Sequence, residues 1–137
     1  MKIAAIIAGI LLGFVFVASG LVILLNLAPP PPPFAEGSPA AQFMAAFTTT
    51  PYLKFVKVLE VVGGLLVAIP KTRRAGLLVL GPILINILAF HAFIQKGEGL
   101  FSALLVILVL LTLFLVWVER TAFCSFVFKP STPPPAV

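Results

Sequence analysis

The sequence is poor in the residues that form disulfides or hold metals and haem. Its 137 residues include one cysteine, one histidine, one tryptophan and one tyrosine. The single cysteine, Cys124, excludes an internal disulfide and a cysteine-ligated iron–sulfur cluster, and the single histidine, His91, excludes a bis-histidine haem or a histidine-rich metal site built by this chain alone. We therefore predict no metal site and no cofactor bound by this chain's own ligands, so a redox cofactor would have to come from another protein.

Charge is also scarce. Only 9% of the residues are charged and 61% are apolar, with a mean hydropathy of +1.24, whereas soluble domains carry roughly 25% charged residues. Because the thirteen Asp, Glu, Lys and Arg residues lie almost entirely between long apolar runs, the composition indicates a membrane protein and excludes a soluble enzyme. The net charge of +5 does not indicate nucleic-acid binding, because the basic residues stand at the ends of segments and form no patch interleaved with aromatics.

Four apolar runs are each long enough to cross a bilayer as a helix. They cover residues 3–27, 52–69, 75–94 and 100–118. The first is too long for the apolar part of a signal peptide, which has about 7–15 residues, and we expect an uncleaved anchor. The predicted fold is all-α, an integral membrane four-helix bundle over residues 1–128, followed by a proline-rich, disordered tail at 129–137.

The connections and the basic residues predict the orientation of these spans. Segments 70–74 and 95–99 are short enough to require antiparallel neighbours. Six basic residues fall on one side of the bundle and three on the other, which places both termini in the cytoplasm. The larger group is Lys2, Lys71, Arg73, Arg74, Arg120 and Lys129. In the outward loop at 28–50, Phe43 and Phe47 are spaced i, i+4. This spacing predicts either a short helix on the membrane surface or two side chains that only fill space between packed helices.

Polar side chains inside the spans are costly and therefore informative. At 1.5 Å per residue, Glu60 lies about 12–14 Å from either end of its span, near the bilayer midplane. Ser19 and Asn86 reach about the same depth in antiparallel spans, while Lys57 and His91 lie at about 6–7 Å. We expect two polar layers in the outer half of the bundle.

These polar residues have both functional and structural interpretations. Lys57 is three residues before Glu60, so it either neutralises a buried structural carboxylate or assists a carboxylate that binds, protonates or gates something. His91 is a proton relay, a hydrogen-bond donor to a quinone-like carbonyl, or a satisfied interfacial group. Asn86 lies about 140° around the helix from His91, so the two side chains need not contact the same partner. An asparagine inside a membrane span often forms a hydrogen bond between helices, which is the structural interpretation of Asn86.

Small residues predict close helix contacts near this site. Ala5, Gly9 and Gly13 form a small-xxx-small ridge on the first span, and Gly63 and Gly64 follow Glu60 by one turn. The sequence has no nucleotide fingerprint, zinc spacing or nucleophile motif, which excludes a hydrolase or an ATPase. We assign no catalytic residue.

Two elements carry a resemblance to a known family. They are Glu60-x-x-Gly63-Gly64, and Pro82-x-x-x-Asn86 followed five residues later by His91. With the four spans, they resemble the DoxX family of small bacterial membrane proteins. The resemblance implies a multi-pass protein of the bacterial inner membrane. It further implies functional residues at Glu60, Asn86 and His91. Some members resemble subunits of a thiosulfate:quinone oxidoreductase, and others are associated with membrane complexes that handle thiol or oxidative stress.

The leading hypothesis is a cofactor-free subunit or accessory of a membrane oxidoreductase acting near the quinone pool. It requires a protein partner, and it places a quinone or proton site at Glu60, Asn86 and His91, with Lys57 and Ser19 beside them. Alternatives are a small proton-coupled carrier or exporter, which would need to form a homo-oligomer, and a membrane assembly scaffold whose polar layers only hold helices together.

Overall fold

The computed structural model describes residues 1–29 and 33–128, and every regular element within them is helical, which confirms the all-α fold class. The predicted tail at 129–137 and three prolines of the outer loop lie outside the described residues. The elements are α1 (Lys2–Leu24), α2 (Pro39–Thr49), α3 (Tyr52–Ala68), α4 (Arg73–Ala89) followed by a π-helical turn (Phe90–Ile94), α5 (Ala103–Val118) and α6 (Arg120–Phe128).

The helix ends differ from the predicted spans for local backbone reasons. α1 ends at Leu24 instead of residue 27, because Asn26 adopts a left-handed conformation with φ of 52°. α5 begins at Ala103 instead of residue 100, because Gly97 and Gly99 adopt positive φ in the preceding turn. The third predicted span is α4 together with the π-helical turn, and it begins at Arg73.

The loop between α1 and α3 contains the short helix that was one of the two interpretations of Phe43 and Phe47. α2 begins at Pro39, whose fixed φ suits the first helical position. Ser38 caps it, because the Ser38 hydroxyl oxygen accepts a hydrogen bond of 3.2 Å from the amide of Ala41. The residues Ser38 and Pro39 therefore define locally where this helix starts.

Four long helices form the bundle. α1 packs along α3, α3 along α4, and α5 against both α1 and α4. Each of the four contributes one fully buried side chain to the core, and these are Leu12, Val67, Leu80 and Leu115.

Glycines set the distance between α1 and α3. A Cβ on Gly64 would lie 2.8 Å from the carbonyl oxygen of Gly13, and a Cβ on Gly13 would overlap the carbonyl oxygen of Gly64. The two backbones therefore touch at this point, as the small-residue ridge predicted. Beyond this crossing, the helices leave open space near Glu60.

Two of the helical segments are long and apolar enough to cross a membrane by length and composition. They are α1 and the continuous segment Arg73–Ile94, and α5 is a shorter apolar helix.

Candidate functional site

Ser19, Lys57 and Glu60 form a hydrogen-bonded group that we call the polar triad. The Lys57 ammonium donates to both carboxylate oxygens of Glu60, at 2.8 Å and 2.9 Å. The Ser19 hydroxyl donates to Glu60 Oε2 at 3.4 Å and accepts from Lys57 Nζ at 3.4 Å. Glu60 is only 3% exposed. The pairing expected from the i, i+3 spacing of Lys57 and Glu60 is thus present. Ser19 was expected at the depth of Glu60 and contacts it, and Lys57, expected in a separate layer, contacts both.

The triad borders a cavity of about 1040 Å³ between α1, α2, α3 and α4, which we call the large cavity. Asn86 lies on its α4 wall with its side chain exposed to the cavity. Among the described residues, the Asn86 amide forms no hydrogen bond with a protein group, so it can both donate to and accept from a ligand. Most of the remaining lining is aliphatic or aromatic.

An aromatic row closes one side of the large cavity. Phe43 stacks on Phe47 at 4.6 Å between ring centroids and lies 5.1 Å from Phe90, while Phe47 meets Tyr52 edge-on at 4.8 Å. Phe34 contacts Phe90 edge-on at 6.1 Å. These contacts hold α2 against the start of α3 and the end of α4. They give the cavity flat apolar surfaces, which suit a planar ring.

A second, smaller cavity of about 210 Å³ also borders the triad, between α1, α3, α4 with its π-helical turn, and α5. Ser19, Lys57 and Glu60 line this small cavity as well as the large one. Its other polar lining residues are His91 and Ser102. The polar triad is therefore shared by the two cavities.

The π-helical turn places His91 on the small cavity, while Phe90 faces the large one. His91 Nδ1 lies 2.9 Å from the carbonyl oxygen of Glu98, and the ring packs against Gly99. Single π-helical turns of this kind often occur at functional sites.

The five predicted site residues therefore divide into three groups. Ser19, Lys57 and Glu60 are in direct contact. Asn86 lies on the large cavity and His91 on the small one, in agreement with their expected separation around the helix. No group of three His, Cys, Asp or Glu side chains lies together within residues 1–29 and 33–128. Cys124 is exposed.

Sequence reasoning missed a second buried charge. Arg73 was placed only as one of the basic residues on the cytoplasmic side, but it is 4% exposed. Its guanidinium lies against Gly9 of α1, and its Nη1 is 3.8 Å from Glu119 Oε1. Glu119 lies at the same end of the antiparallel bundle as Arg73, and its opposite charge could have indicated this ion pair. The aromatic row was also missed as part of the site, because its members are far apart in sequence.

Comparisons with known proteins do not identify the chain: no protein-family profile, curated protein or solved structure matches it.

Removing Lys57 alone is expected to destabilise the protein more than removing the whole ion pair. Lys57→Met leaves the buried Glu60 carboxylate unpaired, which we expect to cost about 3 kcal/mol of unfolding free energy. The double variant Lys57→Met with Glu60→Leu removes both charges and should recover most of that loss. Unfolding in detergent checks this, and a double variant no more stable than Lys57→Met would contradict it.

Proposed function

We propose that this chain is a DoxX-like membrane protein in which all four long helices cross the bilayer. The outward faces of these helices support the proposal, because each exposes large apolar side chains. Examples, one from each helix, are Phe14 (70% exposed), Leu65 (54%), Ile85 (68%) and Leu113 (60%). Soluble monomers rarely expose such extensive apolar surface, and lipid would cover it.

In the proposed orientation both termini are cytoplasmic and the membrane is the bacterial inner membrane. Basic residues support this orientation, because Arg74 and Arg120 lie at the end of the bundle where α3 meets α4 and α5 meets α6. Trp117 lies beneath the Arg120 guanidinium at 4.2 Å, an arrangement that suits a membrane interface. Phe93 and Phe101 are 83% and 86% exposed at the opposite end, where they would anchor the outer interface.

The function that the site supports best is quinone binding within a membrane oxidoreductase to which this chain contributes no redox cofactor of its own. The observation that carries the proposal is the large cavity, which combines aromatic and aliphatic walls with a small polar region at the triad and Asn86. At about 1040 Å³, it slightly exceeds the roughly 300–1,000 Å³ typical of small-molecule sites. It can therefore hold a ring and part of an apolar tail.

Charge favours a neutral ligand. The Lys57 ammonium is bound to both oxygens of Glu60, so the pair has no net charge with which to hold an anion such as a fatty-acid carboxylate. The free Asn86 amide can donate to a ring carbonyl, and Lys57 can share a proton with a second acceptor. A bound quinone would supply two-electron, two-proton redox chemistry, and the electrons would come from the partner enzyme.

Photolabelling tests the proposed quinone site. The purified protein is irradiated with an azido-ubiquinone, and the labelled residues are mapped by mass spectrometry. We expect labels on the lining of the large cavity and competition by decylubiquinone but not by oleate. Asn86→Leu removes one hydrogen bond to the ring and should weaken labelling about tenfold.

Ile85→Leu is the matched control for Asn86→Leu, because Ile85 is the preceding residue and is 68% exposed on the outward face. Its labelling should equal that of the wild type. If oleate competed as strongly as decylubiquinone, the proposed ligand of the cavity would be a lipid anion and not a quinone. Labels that no competitor reduces would overturn the site altogether.

Purification from the native host in a mild detergent tests the proposed partner. A subunit without a cofactor of its own should copurify with an enzyme that carries a flavin or a reactive dithiol, in a fixed ratio, and the complex should reduce decylubiquinone. Recovery of this chain alone would argue for the carrier, and proton-coupled transport in proteoliposomes would then be the measurement.

A further inference from the structure

The small cavity is lined by the polar triad and by two further polar residues. Glu60 and Lys57 line one part of it, and His91 and Ser102 line another. At about 30 Å³ per water molecule in the liquid, its volume of about 210 Å³ accommodates about seven waters. The rest of the lining is apolar, so waters there would bond to one another and to these polar groups.

The hydrogen bond of His91 determines which ring nitrogen can exchange a proton with that water. The Glu98 carbonyl oxygen only accepts, so Nδ1 must carry the hydrogen that forms the 2.9 Å contact. In the neutral ring, Nε2 is then unprotonated and accepts a hydrogen bond or a proton. The Glu98 carbonyl therefore fixes Nδ1 as a donor and leaves Nε2 as the nitrogen that takes up and releases a proton.

We infer that the small cavity is a water-filled proton path that connects His91 to the Lys57–Glu60 pair on the floor of the large cavity. The inference rests on the proposed quinone site and adds the route by which protons reach it. The polar triad lines both cavities, so a proton that arrives from His91 needs no movement of the backbone to become available to a ligand in the large cavity.

The proton balance follows from the groups that face the path. α3 contributes Lys57 and Glu60, the π-helical turn contributes His91, and α1 and α5 contribute only the hydroxyls of Ser19 and Ser102. Reduction of a bound quinone by two electrons from the partner's dithiol or reduced flavin consumes two protons. Each leaves an N–H bond of the Lys57 ammonium, and a proton from His91 restores that bond through the water chain. His91 is reprotonated from the aqueous phase.

The test uses the complete protein in nanodiscs loaded with decylubiquinone. The quinone is reduced at an electrode through a soluble mediator, and proton uptake from the medium is followed with a pH dye. His91→Ala should slow proton uptake about a hundredfold. Added imidazole should restore it, because the cavity left by the ring admits the free base. Azido-ubiquinone labelling of the variant should be unchanged.

Phe93→Ala is the control, because Phe93 belongs to the same π-helical turn but is 83% exposed; its proton uptake should match the wild type. Unchanged uptake in His91→Ala would overturn the path while leaving the quinone site intact. Slow uptake that imidazole does not restore would also overturn it, since the role of His91 would then be structural. Wild-type protein that azido-ubiquinone does not label would remove the quinone site and the path together.

Discussion

Gly13→Ala is expected to destabilise the protein by about 3 kcal/mol of unfolding free energy. The added Cβ would overlap the carbonyl oxygen of Gly64 and would lie 3.0 Å from the Cβ of Ala68. Because the Gly64 oxygen is part of the α3 backbone, it cannot rotate away as a flexible side chain would. α1 and α3 must then separate, and the core residues between them lose contact.

Gly81→Ala is the matched control for Gly13→Ala. Gly81 also lies within a long helix, but a Cβ there would meet no atom within 4 Å. Alanine is a better helix former than glycine by about 0.5–1 kcal/mol, but Pro82 follows and disfavours a helical residue with a Cβ before it, so this variant should be about as stable as the wild type. Thermal or denaturant unfolding in the same detergent gives both values. Equal stability of the two variants would show that the α1–α3 crossing is not the tight contact described above.

Glu119→Ala is expected to cost about 3–5 kcal/mol, because it leaves the buried Arg73 guanidinium without its carboxylate. The Arg73 side chain is 5% exposed. Among the described residues, its Nε and Nη2 already have no hydrogen-bond partner. Glu119 is therefore the group that offsets the cost of burying this charge. The measurement is the free energy of unfolding in detergent.

Arg74→Ala measures the contribution of the exposed Arg74–Glu119 pair apart from that of the buried Arg73–Glu119 pair. Glu119 Oε2 also accepts a 2.7 Å hydrogen bond from Arg74, whose side chain is 64% exposed. Pairs of this kind contribute about 0–1 kcal/mol, so Arg74→Ala should be nearly neutral. The double variant Arg73→Met with Glu119→Ala should regain most of the lost stability. If Glu119→Ala proved as mild as Arg74→Ala, Arg73 would not depend on the carboxylate.

The local sequence pattern was sufficient to predict much of the fold of this protein. The apolar runs between clustered charges predicted the four long helices, and the start of α2 follows from the serine, the proline and the aromatic spacing around Ser38. The Lys57–Glu60 contact follows from helical spacing alone. Ser19 could be placed beside Glu60 because helices of constant rise allow depth to be counted from their ends.

The sequence could not predict the two cavities or the closure of the larger one. The aromatic row joins Phe34 and Phe43 to Phe90, and no periodicity links residues so far apart. The π-helical turn that contains both Phe90 and His91 is an irregularity of hydrogen bonding. Apolar periodicity continues through it without a break.

The sequence by itself determined the four long helices, the ion pair within α3 and the small residues that permit close helix contact, because each of these depends on neighbours within one or two turns. It did not predict α6 (Arg120–Phe128). Only the tertiary structure decided where α1 crosses α3, which cavity Asn86 and His91 each line, and that Arg73 is buried against Gly9. These features depend on how four helices of similar apolar character pack against one another. That packing is set by shape, at contacts such as Gly13 on Gly64, and not by hydrophobicity.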